Sequence, residues 1–252
     1  MQSLSILHRG SGSLRAVTFG VCICAALPAG ATPVALENAT ATYSQTSNGL
    51  GGVGDVIDGT PNTSQGWGVD PNEGVNQTAS FQADSNVGYA GGSLLTFTIT
   101  QDFTLNLETL GDFRLSVTTD NRTTYDNGLA SGGNVTANWT VLDPTYAHSA
   151  NGETLTIEGD GSVLASGSAP ATDVYTIEAT TTLTGITGFR LEALANPSLP
   201  HDGPGLEPLN GNFTITQFAV DISPDTVPEP APALLSLAGG GLLWLRRRAA
   251  RA

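Results

Sequence analysis

Between residues 94 and 222 the chain repeatedly alternates apolar and polar side chains with period two, the spacing of a strand with one buried face. In Leu94–Thr100, Leu95, Phe97 and Ile99 share a face, and Phe113–Thr118, Val174–Ala179 and Phe189–Ala193 alternate in the same way. Leu155–Glu158 and Ser162–Ala165 flank Gly159-Asp160-Gly161, which predicts a hairpin with a glycine-bearing turn. The longest alternating stretch is Phe213–Ile222. Its apolar set moves from odd positions, Phe213 and Ile215, to even ones, Phe218, Val220 and Ile222, and this phase change predicts a bulge near Gln217. No stretch of the middle shows sustained helical periodicity. Strands separated by Gly, Asn, Asp and Pro turns predict an all-β fold, an antiparallel β-sandwich or jelly roll, over residues 32–225.

The two ends break this pattern. His8, Arg9 and Arg15 precede an uncharged apolar run, Ala16–Leu27, and then the small-residue site Ala29-Gly30-Ala31. That order is the layout of a secretion signal, with cleavage after Ala31 by signal peptidase and a mature chain beginning at Thr32. Both cysteines, Cys22 and Cys24, lie inside the run and leave with it. The mature chain then has no thiol, and its stability rests on packing. A lipoprotein cysteine is disfavoured by Phe19 and Val21 at the preceding positions.

Charge sharpens this division. The net charge of the 252 residues is −14, and there is no lysine. Of nine arginines only Arg114, Arg122 and Arg190 fall between Thr32 and Asp225, against 22 carboxylates, so the middle carries about −19. Such a surface repels phosphate backbones, which excludes nucleic acid as a partner, and it attracts divalent cations.

At the C-terminus Val227-Pro228-Glu229-Pro230 precedes a 15-residue apolar run, Ala231–Leu245, and then Arg246, Arg247, Arg248 and Arg251. The run is short for a bilayer span of about 20 residues, and the arginines act as a cytoplasmic stop. Motif, run and cluster in this order resemble the PEP-CTERM sorting signal. The resemblance implies recognition by exosortase, removal of the tail, and contact with the membrane only through a temporary C-terminal helix. An ordinary membrane anchor is the alternative.

Conventional catalytic chemistry finds little foothold. Gly49–Gly54 matches G-x-G-x-x-G, but Asp55, Asp58-Gly59 and Pro61-Asn62 follow instead of a helix, so a flexible loop is expected. Beyond His8 only His148 and His201 occur, with no H-x-x-x-H pair, and G-x-S-x-G is absent. A glycosidase carboxylate pair remains open only because acids are so numerous. Trp67, Tyr89, Trp139 and Tyr146 are the aromatic candidates for stacking on a sugar, with Arg114 and Arg122 as polar partners; Trp67 and Trp139 also suit a core.

The segment Ala41–Gln45, Val56–Thr60, Gly66–Val69 and Gln77–Phe81 resembles the opening of galactose-binding-like jelly rolls of the discoidin and carbohydrate-binding-module type. Gly111–Thr118 and Asn210–Phe218 resemble later strands of that fold. The resemblance implies a structural calcium at the Asp-Gly turn, with Asp58, Thr60 and Thr63 as oxygen donors. The last-strand ligand position carries Gln217 in place of Glu, one charge fewer. It also implies a glycan site, for which Trp67, Tyr89 and Arg114 are the candidates here. The expectation is an exported, non-enzymatic surface or matrix protein binding carbohydrate or another surface polymer such as an exopolysaccharide. A structural envelope protein without a ligand and a polysaccharide hydrolase stand as alternatives.

Overall fold

The computed structural model describes residues 30–225, except 48, 61–62 and 104–106. Ala29 of the cleavage site, Pro228 and its neighbours in the sorting motif, the arginine cluster and the N-terminal signal helix and C-terminal hydrophobic helix expected from the sequence lie outside the described residues. Fourteen strands are described: Thr32–Pro33 (β1), Leu36–Ala41 (β2), Trp67–Gly68 (β3), Gln77–Val87 (β4), Ser93–Gln101 (β5), Asp112–Thr118 (β6) and Thr140–Val141 (β7) form the first half. Pro144–Ser149 (β8), Thr154–Ile157 (β9), Ser162–Ser166 (β10), Asp173–Thr181 (β11), Ile186–Ala193 (β12), Thr214–Ile215 (β13) and Gln217–Pro224 (β14) complete them. The described helical elements are three short 3₁₀ turns, and none is long and apolar enough to cross a membrane.

The strands form an antiparallel sandwich. One layer has the order β1-β14-β5-β11-β8, and the other has the order β2-β4-β12-β6-β10-β9 with β7 added beside β6. The period-two pattern dictates which faces meet. Leu95, Phe97 and Ile99 of β5, Tyr175 and Ile177 of β11, and Phe218 and Val220 of β14 point inward from one layer, all essentially inaccessible. Phe81 of β4, Phe113 and Leu115 of β6, and Phe189 and Leu191 of β12 meet them from the other. Aromatic contacts join the layers: Phe81 stacks on Phe218 with centroids 4.6 Å apart, and Phe97 meets Phe189 edge-on at 6.0 Å. The expected hairpin is β9–β10, with Ile157 opposite Val163.

Two sequence expectations need correction. The phase change at Gln217 is no bulge within one strand. Ile215 of β13 pairs with Trp67 of β3 in a separate two-stranded ribbon, whereas Gln217 opens β14 and pairs with Thr100 of β5. The apolar side switches at this point because the chain changes its partner sheet. The glycine-rich loop is also not flexible. Val53–Ile57 forms a 3₁₀ turn whose Val53 and Val56 are fully buried. Its Asp55 carboxylate accepts the Gly51 N–H at 3.0 Å, and a Cβ at Gly51 would collide with that carboxylate.

The interior holds carboxyl groups too, and four of them accept from hydroxyls. Asp126 accepts from Ser80, Glu108 from Thr214, and Glu153 from Thr109 at 2.8 Å and from Tyr175; Asp173 accepts from Ser149 at 2.5 Å. Burial pushes Asp126 and Glu153 up to about 7, only partly offset by these hydroxyl bonds. Asp126 Oδ2 is buried and has no hydrogen-bond partner among the described groups.

Both folded-state values lie above those of the unfolded chain. The stabilisation is therefore complete below about pH 4 and is lost as pH rises through 7, on the order of 2 kcal/mol per group after solvent screening. Urea midpoints should accordingly be higher at pH 5 than at pH 8. Asp126→Asn, which keeps an acceptor for Ser80 and cannot ionise, should remove a measurable part of that difference; an unchanged difference would show that Asp126 does not titrate on unfolding.

Candidate functional site

The two outer faces of the sandwich are unlike each other. The face of the β2–β9 layer is roofed by the chain between β6 and β8. Arg122 donates to the Ala83 carbonyl at 2.7 Å and to Asn86 Oδ1 at 2.8 Å, while Gln82 Nε2 donates to the Arg122 and Tyr125 carbonyls at 2.7 and 2.9 Å. Gly128 N–H reaches Thr40 Oγ1 at 2.8 Å, and Asp126 reaches Ser80. Beneath this roof Ser80, Ser116 and Thr118 are buried although they point away from the core.

Trp139 belongs to this roof. It was a candidate for the core alongside Val141, but it is half-buried on the outside and Val141 is exposed. Its indole N–H donates to the Val135 carbonyl at 2.9 Å, Tyr125 meets it edge-on, and the Arg190 guanidinium lies 5.3 Å from its ring centroid. Arg190 also pairs with Glu192 at 2.8 Å, and Glu192 pairs with Arg114 at 3.0 Å. These ion pairs raise the Arg114 pKa, whereas burial lowers that of Arg190. The cationic and aromatic groups of this face are consumed internally.

Among the described residues the outer face of the β1–β8 layer carries no such roof. Its outward positions form cross-strand rows set by register. Asp221, Thr96, Glu178 and Tyr146 make one row across β14, β5, β11 and β8; Ala219, Thr98, Thr176 and His148 make the next. Gln217, Thr100 and Val174 make a third. Tyr146 is 45% exposed, and its ring lies parallel to that of His148, 7° apart in plane and 6.1 Å between centroids. Two residues apart on an edge strand, the rings necessarily share a face. Exposed parallel rings beside hydroxyls and carboxylates can stack on C–H surfaces and bond hydroxyl or ammonium groups of a ligand.

The expected ligand residues are not brought together. Trp67 is 0% exposed, edge-on to Phe213 at 5.0 Å, with its N–H on the Tyr43 carbonyl at 2.9 Å; a wholly buried ring offers no platform. Arg114 lies in the ion-pair network of the roofed layer. Tyr89, 36% exposed, lines a shallow cavity of about 370 Å³ with Pro33, Asn86 and Ile222. Tyr146 was among the aromatic candidates. His148 entered the sequence reading only as half of an absent H-x-x-x-H pair, although Tyr-x-His on an alternating strand is the signal that would have paired it with Tyr146. A larger groove of about 640 Å³, lined by Leu107, Leu164, Leu199 and Leu206 among others, has serine hydroxyls but no charged side chain to orient a polar ligand.

The four calcium candidates divide. Asp58 and Gln217 line one cavity of about 320 Å³, and Gln217 Oε1 is buried without a hydrogen-bond partner. Thr60 and Thr63 are exposed and do not line it. Asp58 Oδ1 already accepts the Thr60 N–H at 2.8 Å, an Asx turn. Among the described residues no three acidic, histidine or cysteine side chains converge as a metal site. One carboxylate and one amide fall well short of the six to eight oxygens that calcium takes.

No family model and no curated protein matches the chain. Among solved structures, the family 32 CBM from C. perfringens NanJ in complex with galactose superposes with a TM-score of 0.39 at 12% identity, over 76% of this chain and 98% of that one. CBM32-3 from a family 31 glycoside hydrolase from Clostridium perfringens gives a TM-score of 0.38 at 11% identity, over 71% and 86%. So loose a superposition transfers no residue from those proteins to this chain.

The Asp58–Gln217 cavity can hold calcium only weakly. Exchanging EDTA for about 1 mM calcium should raise the thermal midpoint by less than about 2 °C, the shift expected for a millimolar site in a domain of this size. A larger rise that disappears in Gln217→Ala would show a complete shell there.

Proposed function

We propose that this chain is an exported, non-enzymatic cell-surface or matrix protein whose β-sandwich, of the galactose-binding-like jelly-roll type, binds glycan on the open face of its β1–β8 layer. The parallel, exposed Tyr146 and His148 rings beside Thr176 and Glu178 carry this reading. They combine an apolar stacking surface with hydroxyl and carboxylate partners on a rigid sheet, the combination that a polyhydroxylated ring with apolar C–H faces requires.

Export and sorting are proposed from the sequence of the two ends. The sandwich is compatible with both cleavages. Gly30 and Ala31 are exposed, and cutting after Ala31 leaves β1 whole, with Thr32 opposite Ile222. At the other end Asp225 still bonds the body through its N–H to the Gly92 carbonyl at 3.0 Å, so a tail starting at Thr226 can be removed without cutting a strand.

Two measurements test the two halves of the proposal. On a glycan array the chain should bind at least one polysaccharide class, and Tyr146→Ala should weaken that binding by about tenfold while moving the thermal midpoint by no more than about 2 °C. No binding to any glycan would leave a structural envelope protein. N-terminal sequencing of the exported chain should begin at Thr32, and its mass should lack the residues after the Pro228-Glu229-Pro230 motif; a retained tail would make it an ordinary anchor.

A further inference from the structure

The open face differs from the rest of the surface in charge as well as in exposure. Its strands β1, β14, β5, β11 and β8 contain no arginine or lysine. Their outward positions carry Glu178 and Asp221, and His148 is their only titratable nitrogen. All three arginines among the described residues lie elsewhere, Arg114 and Arg190 on β6 and β12 and Arg122 in the roof.

Register places these carboxylates with some definition. Glu178 is opposite Thr96, which is opposite Asp221 on its other side, and Tyr146 is opposite Glu178. With strands about 4.8 Å apart, the two carboxylate positions are about 10 Å apart across the Thr96 hydroxyl. At that spacing the two carboxylates can pair with ammonium groups on different units of one polymer. Tyr146 and Glu178 are direct cross-strand neighbours, with Cβ atoms about 5 Å apart. A hexosamine ring packed by its C–H face on Tyr146 therefore carries its amine within reach of Glu178. A uronate or sulfated chain meets two carboxylates of its own sign here.

Building on the glycan reading above, we infer that the outer face of the β1–β8 layer is a docking surface for a polysaccharide bearing free amines, a partly deacetylated amino-sugar polymer. Tyr146 stacks on one unit, while Glu178 and Asp221 pair with ammonium groups of different units.

Calorimetric titration of the full exported chain with glucosamine oligomers, their fully N-acetylated counterparts and oligogalacturonate tests this at mildly acidic pH, where the glucosamine amines are charged. The amine oligomers should bind best, with affinity falling as salt rises. Glu178→Gln and Asp221→Asn should each weaken them about tenfold, while Asp84→Asn, an exposed acid on β4, should leave binding unchanged. Suppose that acetylated and amine oligomers bind alike, that Glu178→Gln changes nothing and that Tyr146→Ala abolishes both. The amine preference is then wrong and the glycan reading stands. If no oligomer binds and the array is also blank, both fail. If Asp84→Asn weakens binding as much as Glu178→Gln, the attraction belongs to the overall charge of the domain and the docking surface is overturned. Equal affinity for an arginine-rich peptide with the same variant profile would likewise overturn the amino-sugar assignment.

Discussion

Carboxyl groups without cationic partners govern this molecule. Between Thr32 and Asp225 there are 22 of them and three arginines. Two of those arginines are committed to one network with Glu192, and the third holds down a loop. The remaining acids must be solvated, protonated or bonded to something neutral. Inside the sandwich the neutral partners are hydroxyls, which the threonine-rich strands supply: Thr214 for Glu108, Thr109 and Tyr175 for Glu153, Ser80 for Asp126. A hydroxyl satisfies a lone pair but does not neutralise a charge, so burial of Asp126 and Glu153 favours the proton.

The same scarcity divides the surface. Where the arginines are, the chain folds a roof over the sheet, and Arg122, Arg190 and Trp139 are spent in holding it. Where they are absent, no described segment covers the sheet, and its outward rows keep threonine hydroxyls, two carboxylates and the exposed Tyr146–His148 rings. Stability and the capacity for recognition thus lie in different layers. A change to Tyr146 or Glu178 touches no buried contact, whereas a change to Asp126 or Arg190 disturbs the roof.

Much of this was legible along the chain. Leu95, Phe97 and Ile99 announced a strand and its inner face, because period two is a property of the extended backbone. The Gly159–Gly161 turn announced its hairpin, since the residues that tolerate a tight turn are few. Trp67 was readable as a core plug. The candidate site was far less legible. Tyr146 could be named as an aromatic but not placed, and His148, two residues on, was weighed only for zinc, which the absence of an H-x-x-x-H pair disfavours. The galactose-binding-like resemblance grouped Thr60 and Thr63 with Asp58, yet they stand outside the cavity that Asp58 shares with Gln217.

The sequence by itself determined the all-β class, the inner face of the long strands, and the acidity of the body relative to its ends. These follow from composition and local periodicity. Only the tertiary structure decided which outer face is roofed, which acids lose their water, and that Asp221, Thr96, Glu178 and Tyr146, drawn from four separate strands, form one row. Strand order and register are set by the packing of whole layers, so residues up to 125 positions apart become neighbours without any local signal that they will.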